Sequence, residues 1–182
     1  IADEHGFKRA AHLDYYPLLG GDAGARQTWR PAAGLLSLLK DSSFDRIAPE
    51  AFQRIPDEAI AMARQRLLRP GRLPRTSSLG RLFDAVAFLL GLCDENRYEA
   101  EAAITLETAA ATWSEAVDPL PYLIHAVNDS AGNDHHDWSD SSYVQERGSI
   151  ALNIRPAIEK LLEKQTEGIN VPLLAKAFHA TV

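Results

Sequence analysis

The spacing of hydrophobic residues predicts a mainly helical chain with a small antiparallel β component. Between Ser77 and Cys93 the apolar residues recur every three or four positions, which is the period of one helix face. Residues on that face are Leu79, Leu82, Phe83, Val86, Leu89, Leu90 and Cys93. Phe88 lies on the opposite face with Arg81 and Asp84, which indicates that other elements cover this helix on both sides.

Similar spacing predicts several further helices. They cover residues 26–39, 49–68 in two pieces divided at Pro56, 98–115, and two C-terminal segments that follow Asn153 and Asn170. Asparagine is a favoured N-cap residue, and Gly168 is expected to end the first C-terminal helix. Pro31 must lie in the first turn of its helix or kink it.

Two regions carry β patterns. Residues 7–16 predict one or two short strands, followed by a turn with three glycines. Residues 122–128 and 141–147 are β-like and bracket a long polar loop, which predicts a hairpin. We therefore expect one partial domain over 1–182, made of a strand-and-turn segment (1–22), a helical part (25–116), a β-hairpin (120–148) and C-terminal helices (150–182).

The hairpin loop contains four candidate metal ligands, Asp134, His135, His136 and Asp137. Adjacent residues rarely converge on one ion, because zinc ligands are usually spaced along a helix or drawn from separate strands. We interpret the cluster as a solvated loop and predict no metal ligand in this chain.

Composition narrows the class of protein. The 182 residues carry a net charge of -6, which does not favour a nucleic-acid partner. One cysteine permits no disulfide within the chain and no multi-cysteine zinc site, and this fits a reducing cytoplasm. The chain has no apolar run of about eighteen residues, so we expect no membrane partner. It lacks an initial methionine, and we expect it to be a piece of a longer protein.

The short motifs of the common nucleotide-binding and hydrolase families are absent from the sequence. A cluster of six arginines, at positions 64, 66, 69, 72, 75 and 81, has the charge to meet phosphates. No RNA-binding signature accompanies it, and a solvated surface is the preferred interpretation for most of the six. Arg81 differs because it lies just inside a predicted helix start.

That helix start, Thr76-Ser77-Ser78-Leu79-Gly80-Arg81, predicts an anion site. About four backbone N–H groups are unpaired at a helix N-terminus, and the helix dipole favours negative charge there. A helix that needs only a cap is satisfied by one Ser or Thr, whereas this stretch adds Gly80 and the two-pronged donor of Arg81. A carboxylate of the protein itself, such as Asp84 three residues later, is the alternative partner of Arg81.

Several stretches together resemble the HypF family of hydrogenase maturation carbamoyltransferases. They are GFKRAAHLDYYPLLGGDAGARQTWRPA, TSSLGRLFDAVAFLLGL, YEAEAAITLE and the closing AKAFHAT. Their order and spacing are similar to those of the family's carbamoyltransferase domain, from about Gly6 to the end. The T-S-S-x-G-R-x-F-D-A element is the most specific of them.

The resemblance implies a fold, a reaction and a partner. The fold is the helical segment of an actin-like, two-lobed domain. The reaction uses carbamoyl phosphate and ATP, passes through carbamoyl-adenylate, and carbamoylates the C-terminal cysteine of a partner protein on the way to the cyano ligand of nickel–iron hydrogenase. A metal ion is expected in the full-length protein, with its His-rich ligands upstream of this segment. No catalytic residue is identified here, and we expect the segment alone to be inactive.

The resemblance also implies binding residues. Gly20, Gly21, Asp22 and Arg26 are expected to border the nucleotide, and the alternative is a tight turn in which Asp22 caps the next helix. Ser77, Ser78, Gly80, Arg81 and Asp84 are expected at the substrate phosphate or the carbamoyl oxygen.

The chain departs from the family pattern in three places. Leu19 replaces a proline, and Ala100 and Glu101 replace a glycine and a usual glutamine. Two alternative functions therefore stay open: an O-carbamoyltransferase of small-molecule biosynthesis, and a non-catalytic helical interaction module.

Overall fold

Helices dominate the computed structural model, which describes residues 2–3, 6–7, 10–39, 51–69, 73–126 and 150–182. The helices are α1 (Ala23–Arg26), α2 (Trp29–Leu36), α3 (Asp57–Leu67), α4 (Leu79–Leu89), α5 (Glu101–Ala111), α6 (Arg155–Thr166) and α7 (Val171–Thr181). The prediction of a mainly helical chain is confirmed.

Short strands connect distant parts of the chain. They are β1 (Ala2–Asp3), β2 (Gly6–Phe7), β3 (Ala11–Leu13), β4 (Tyr16–Pro17), β5 (Arg75–Thr76), β6 (Leu123–Ala126) and β7 (Ile150–Asn153). β1 pairs with β2, and β4 pairs with β5, both antiparallel. The third sheet has the order β3-β7-β6, in which β3 runs parallel to β7.

The β-hairpin exists with a different return strand. β6 pairs antiparallel with β7, and Leu123 lies opposite Asn153. The predicted return strand, 141–147, lies outside the described residues, as do the loop residues Asp134, His135, His136 and Asp137. β7 falls in the segment expected to be helical from residue 150, so the C-terminal helices begin at Arg155.

α4 lies in the core and is buried along most of its length, as its two apolar faces predict. It packs against α2 and α5, and α5 packs in turn against α7. Leu82, Val86 and Phe88 are all fully buried, which confirms that the helix is covered on both sides. Leu79, predicted on the apolar face, is 46% exposed because it begins the first turn.

Helix ends follow the predicted residues only in part. The Ser78 side chain accepts a hydrogen bond from the backbone N–H of Arg81 at 3.4 Å, and so caps α4. Asn153, predicted as the N-cap of α6, lies one residue before the cap position, which Ile154 takes, but its Oδ1 accepts a hydrogen bond from the first N–H of the helix, that of Arg155, at 3.0 Å. Gly168 has φ +78° and ends α6 as predicted.

α2 packs directly on the backbone of β4. A Cβ placed on Gly34 would lie 1.9 Å from the carbonyl oxygen of Pro17. Pro31 lies in the first turn of this helix, which starts at Trp29, three residues later than predicted. Close contact of α2 with β4 requires glycine at position 34.

None of the helices in the described part of the chain is long and apolar enough to cross a membrane.

Candidate functional site

The two predicted binding stretches each continue from one strand of the β4–β5 pair. Tyr16 lies opposite Thr76, and the backbone N–H of Leu18 donates to the carbonyl oxygen of Pro74 at 2.7 Å. Because the two strands are antiparallel, the chain leaves β4 toward Gly20 at one end of the pair and leaves β5 toward Ser77 at the other end. The two stretches are linked instead by Arg81, whose Nη1 donates to the carbonyl oxygen of Gly24.

The glycine turn, defined here as Gly20–Asp22, has the backbone of a tight turn. Gly20 and Gly21 have φ of +89° and +52°, which glycine adopts without strain. The N–H of Ala23 donates to the carbonyl oxygen of Gly20 at 3.0 Å. A Cβ on Gly21 would meet no described atom within 4 Å, so this side of the turn is open.

Asp22 occupies the cap position of α1, but in the described structure its side chain makes no capping hydrogen bond. The tight turn expected in the alternative is present, but the capping hydrogen bond expected from Asp22 is not found among the described residues. The predicted ligand role of Asp22 stays a prediction.

Three successive carbonyl groups of α1 accept hydrogen bonds from other elements. Arg81 Nη1 donates to the carbonyl oxygen of Gly24 at 3.2 Å. Asn96 Nδ2 donates to that of Ala25 at 2.9 Å, and the backbone N–H of Asn96 donates to that of Arg26 at 2.7 Å. A four-residue helix is too short to be stable alone, so these bonds fix its place.

Arg81 and Asp84 form an ion pair within the first turns of α4. Arg81 Nη1 lies 2.8 Å from Asp84 Oδ2, and the Asp84 side chain is only 3% exposed. Both contacts of Arg81, to Asp84 and to Gly24, use Nη1 and leave Nε and Nη2 for other partners. The protein carboxylate foreseen as the alternative partner of Arg81 is therefore present.

Burial shifts the pKa values of two side chains in this region, Asp84 and Tyr16. It raises the pKa of the Asp84 carboxyl above its usual value, while the Asn96 hydrogen bond and the Arg81 charge act in the opposite direction. Burial also raises the pKa of the Tyr16 phenol. Asp84 Oδ2 and the Tyr16 hydroxyl are buried and accept or donate no well-directed hydrogen bond among the described residues.

Ser77 lines a cleft of about 380 Å³ beside the start of α4. The cleft also touches His12 and Leu13 of β3, Tyr122, and Leu152 of β7. Gly80, predicted to permit close approach, has ordinary space around it: its Cβ would lie 3.7 Å from Ser78 Oγ. Ser77 and Leu79 of the predicted helix start both border this cavity, which is of small-ligand size.

Two arginines near the glycine turn have protein partners. Arg26 Nη2 donates to Glu95 Oε1 at 2.8 Å on the surface. Arg30 was missed by the sequence reading. Its guanidinium lies over the Trp29 ring at 4.5 Å and beneath Gly20, whose Cβ would be 2.9 Å from Nη1. The missing side chain of Gly20 is what lets this cation reach the turn.

The remaining arginines of the predicted cluster have separate surroundings. Arg64 and Arg66 lie in the last turn of α3, and Arg75 Nη2 donates to the carbonyl oxygen of Tyr15 at 3.0 Å. Arg72 lies outside the described residues.

The departures at positions 100 and 101 have a structural explanation. Ala100 is in the left-handed region, with φ 62° and ψ 17°, where glycine is favoured. Glu101 Oε2 accepts a hydrogen bond from the backbone N–H of Arg97 at 2.6 Å, and Oε1 accepts from Arg97 Nε at 2.9 Å. The glycine of the family pattern therefore matches a backbone need at the start of α5.

The ligand chemistry of a metal centre is not assembled by these residues. In the ranges that the structure describes, no three His, Cys, Asp or Glu side chains are grouped to hold a metal ion. The described residues therefore offer no ligand set for the metal ion expected in the full-length protein, and we assign no step to it here.

Comparison with known proteins places the chain among carbamoyltransferases. A family model described as carbamoyltransferase, Kae1-like domain, second subdomain, matches residues 1–182. The chain is 31% identical to carbamoyltransferase HypF2 of Cupriavidus necator, covering 100% of the chain and 22% of that protein. It is 38% identical to carbamoyltransferase HypF of Rhodobacter capsulatus, covering 70% of the chain and 16% of that protein. The chain therefore spans only a minor part of the length of these relatives.

Solved structures share the fold. Full-length HypF in its phosphate- and nucleotide-bound form matches 97% of this chain and 24% of its own, with a TM-score of 0.71 and 23% identity. HypF of T. kodakarensis matches 93% of this chain and 20% of its own, with a TM-score of 0.67 and 23% identity.

Proposed function

The chain belongs to the HypF carbamoyltransferase family, and from this premise we propose that its parent protein transfers a carbamoyl group. The proposed substrates are carbamoyl phosphate and ATP, and the proposed intermediate is carbamoyl-adenylate. The proposed acceptor is the C-terminal cysteine of a partner protein in the synthesis of the hydrogenase cyano ligand. We place this reaction in the cytoplasm.

The proposed chemistry proceeds in two transfers. Water hydrolyses carbamoyl phosphate to carbamate and inorganic phosphate, and an oxygen of the carbamate then attacks the α-phosphorus of ATP while pyrophosphate leaves. The cysteine thiolate then attacks the carbamoyl carbon, AMP leaves, and an S-carbamoyl bond forms. The three leaving groups and both substrates are anions, so the site needs hydrogen-bond donors and positive charge.

One observation carries the assignment of this segment: the first turn of α4 contacts α1 directly after the glycine turn. Arg81 of α4 donates to the carbonyl oxygen of Gly24 in α1. Backbone approach is open at Gly21, and Arg30 and Arg81 supply positive charge. We propose that this junction borders the nucleotide and its carbamoyl group, with Ser77 and Ser78 as hydroxyl donors.

The backbone geometry at Ala100 does not indicate that the parent protein has lost its activity. Ala100 adopts the left-handed conformation, so the family's backbone path is kept at some energetic cost. The non-catalytic alternative therefore gains no support from this departure.

The activity is tested on the full-length protein with carbamoyl phosphate, ATP and a peptide that ends in cysteine. We expect pyrophosphate release that depends on carbamoyl phosphate, and a peptide carrying one added carbamoyl group. A peptide that ends in serine is the matched control and should remain unmodified. Carbamoylation of a small hydroxyl compound in place of the cysteine peptide would contradict the proposed acceptor.

The glycine turn is tested by Gly21→Val in the full-length protein. We expect the ATP dissociation constant to rise about tenfold, equivalent to about 1.4 kcal/mol, because a branched side chain occupies the open side of the turn. Gly168→Val is the control, since Gly168 also has positive φ and would meet no described atom within 4 Å. Unchanged affinity in a folded Gly21→Val variant would overturn the assignment.

A further inference from the structure

The side-chain amide of Asn96 has a complete set of hydrogen bonds. Nδ2 donates to the carbonyl oxygen of Ala25 at 2.9 Å and to Asp84 Oδ1 at 3.0 Å. Oδ1 accepts from the backbone N–H of Ala102 at 2.9 Å. Two partners are acceptors and one is a donor, so only one orientation of the amide satisfies all three.

These partners belong to three separate elements. Ala25 is in α1 directly after the glycine turn, Asp84 is in the buried part of α4, and Ala102 is in the first turn of α5. The backbone N–H of Asn96 adds a fourth bond, to the carbonyl oxygen of Arg26. One residue thus connects α1, which follows the glycine turn, to α4 and α5.

Asn96 acts on Arg81 as well. Its bond to Asp84 Oδ1 holds the carboxylate so that Oδ2 lies 2.8 Å from Arg81 Nη1. Arg81 in turn donates to the carbonyl oxygen of Gly24. α1, which directly follows the glycine turn, is therefore held directly by Asn96 and a second time through Asp84 and Arg81.

We propose that Asn96 is a positioning residue that fixes the glycine turn for binding of the nucleotide. The proposal rests on the proposed function of the turn. Asn96 does not need to touch the ligand: it determines where the Gly21 backbone lies, and binding that requires a preset backbone weakens when that backbone moves.

Asn96→Asp is the sharpest change, because it keeps the shape of the side chain, replaces the donor group with an acceptor oxygen and adds a negative charge. The new carboxylate oxygen would face the carbonyl oxygen of Ala25 and Asp84 Oδ1, and both contacts become repulsive. Asn96→Ala is the second variant, since it removes the donor without adding charge. Asn170→Asp is the matched control, because Asn170 is exposed and in the described structure makes no capping bond with its side chain.

The experiment measures amide hydrogen exchange and ATP binding in the full-length protein. For both Asn96 variants we expect the amides of Ala23–Gln27 to exchange at least tenfold faster, with little change in α7. We expect the ATP dissociation constant and KM to rise about tenfold, and kcat at saturating ATP to stay within threefold. Asn170→Asp should leave all of these values unchanged.

Other outcomes distinguish a failure of the proposed role of Asn96 from a failure of the proposed ATP binding. Exchange that rises equally across the whole segment would show a general loss of stability and would overturn the positioning role. Faster exchange in Ala23–Gln27 with unchanged ATP affinity would also overturn it, because the turn would then move without consequence for the ligand. A wild-type protein that binds no ATP contradicts the proposed function, and the exchange rates then decide whether Asn96 holds the turn.

Discussion

The segment Tyr16–Arg26 contacts the rest of the molecule in two different ways. At β4, the Pro17 carbonyl oxygen lies against the backbone of Gly34, and no side chain fits between them. At α1, side-chain and backbone donors of Arg81 and Asn96 reach the carbonyl oxygens. The β4 contact requires that residue 34 have no side chain, whereas the α1 contact requires hydrogen-bond donors. Side-chain volume therefore limits which substitutions the first contact tolerates, and loss of a donor limits which substitutions the second tolerates.

Gly34→Ala should have the largest effect, because it breaks the volume-limited contact. The added Cβ would lie 1.9 Å from the Pro17 carbonyl oxygen, so α2 and β4 must separate. We expect the free energy of unfolding to fall by roughly 3 kcal/mol, at the upper end of overpacking effects. The urea dependence of proteolysis within this segment of the full-length protein measures it.

Gly80→Ala is the control for that measurement, since it makes the same change in a helix with ordinary space. Alanine is favoured over glycine in a helix by about 1 kcal/mol, so this variant should be no less stable than wild type. Equal losses in the two variants would contradict the difference between the regions.

Arg81→Lys tests the second contact, in which donors of Arg81 and Asn96 reach carbonyl oxygens of α1. Lysine keeps the charge near Asp84 but loses the planar, two-pronged geometry that also serves Gly24 and an anion. We expect carbamoyl transfer by the full-length protein to fall roughly tenfold, while the free energy of unfolding changes by less than about 1 kcal/mol. Arg66→Lys, an exposed change in α3, is the control.

The opposite result for Arg81→Lys is equally informative. Reduced stability with normal transfer by the remaining folded protein would mean that Arg81 serves only Asp84 and Gly24. The anion site at the start of α4 would then be wrong.

Ala100→Gly should stabilise the start of α5, where the backbone N–H of Ala102 donates to Asn96. Ala100 has φ 62°, and left-handed backbone costs a residue with a Cβ roughly 1–2 kcal/mol. We expect the variant to be more stable by about 1 kcal/mol in the same denaturation assay, after the added flexibility of glycine in the unfolded chain is included. Ala103→Gly, inside α5, should instead lose about 1 kcal/mol. No gain at position 100 would show that the strain is relieved elsewhere.

Glu101→Gln should have the smallest effect and should appear as a change in pH dependence. Hydrogen bonds from Arg97 lower the pKa of the Glu101 carboxyl below its ordinary value of 4.5. The folded pKa is then below the unfolded pKa, so the carboxylate stabilises the fold above about pH 4.5 and this contribution is lost as the pH falls. Thermal unfolding at pH 7 and at successively lower pH should show wild type and variant converging on acidification. A constant difference between them would contradict the assignment to Glu101.

Local signals predicted the elements that depend on neighbouring residues. The apolar spacing of α4 is strong enough to predict both its covered faces, and Ser78 is a good N-cap by residue type. The pairing of Arg81 with Asp84 was foreseen as one alternative because the two residues are three positions apart on a helix. The start of α5 was placed three residues too early, because nothing in the sequence reveals that Ala100 is left-handed.

Contacts between distant segments were not predictable in the same way. Asn96 lies in a loop, and its partners come from positions 25, 84 and 102, so no periodic pattern marks it. A polar residue of a cap-favouring type shortly before a helix was the only available signal. The parallel pairing of β3 with β7 was missed for the same reason, because the two strands are short and far apart in the chain.

That parallel pairing also orders events during synthesis. Ala11 pairs with Ile150, so β3 leaves the ribosome long before its partner strand exists. At translation rates of about 5–20 residues per second, roughly 7 to 28 seconds separate the two strands. Over that interval α2, α4 and α5 can pack on one another through contacts that are closer in sequence, whereas the sheet must wait for a long loop to close. Since His12 of β3 and Leu152 of β7 line the same cleft, this binding cavity is among the last features of the segment to form.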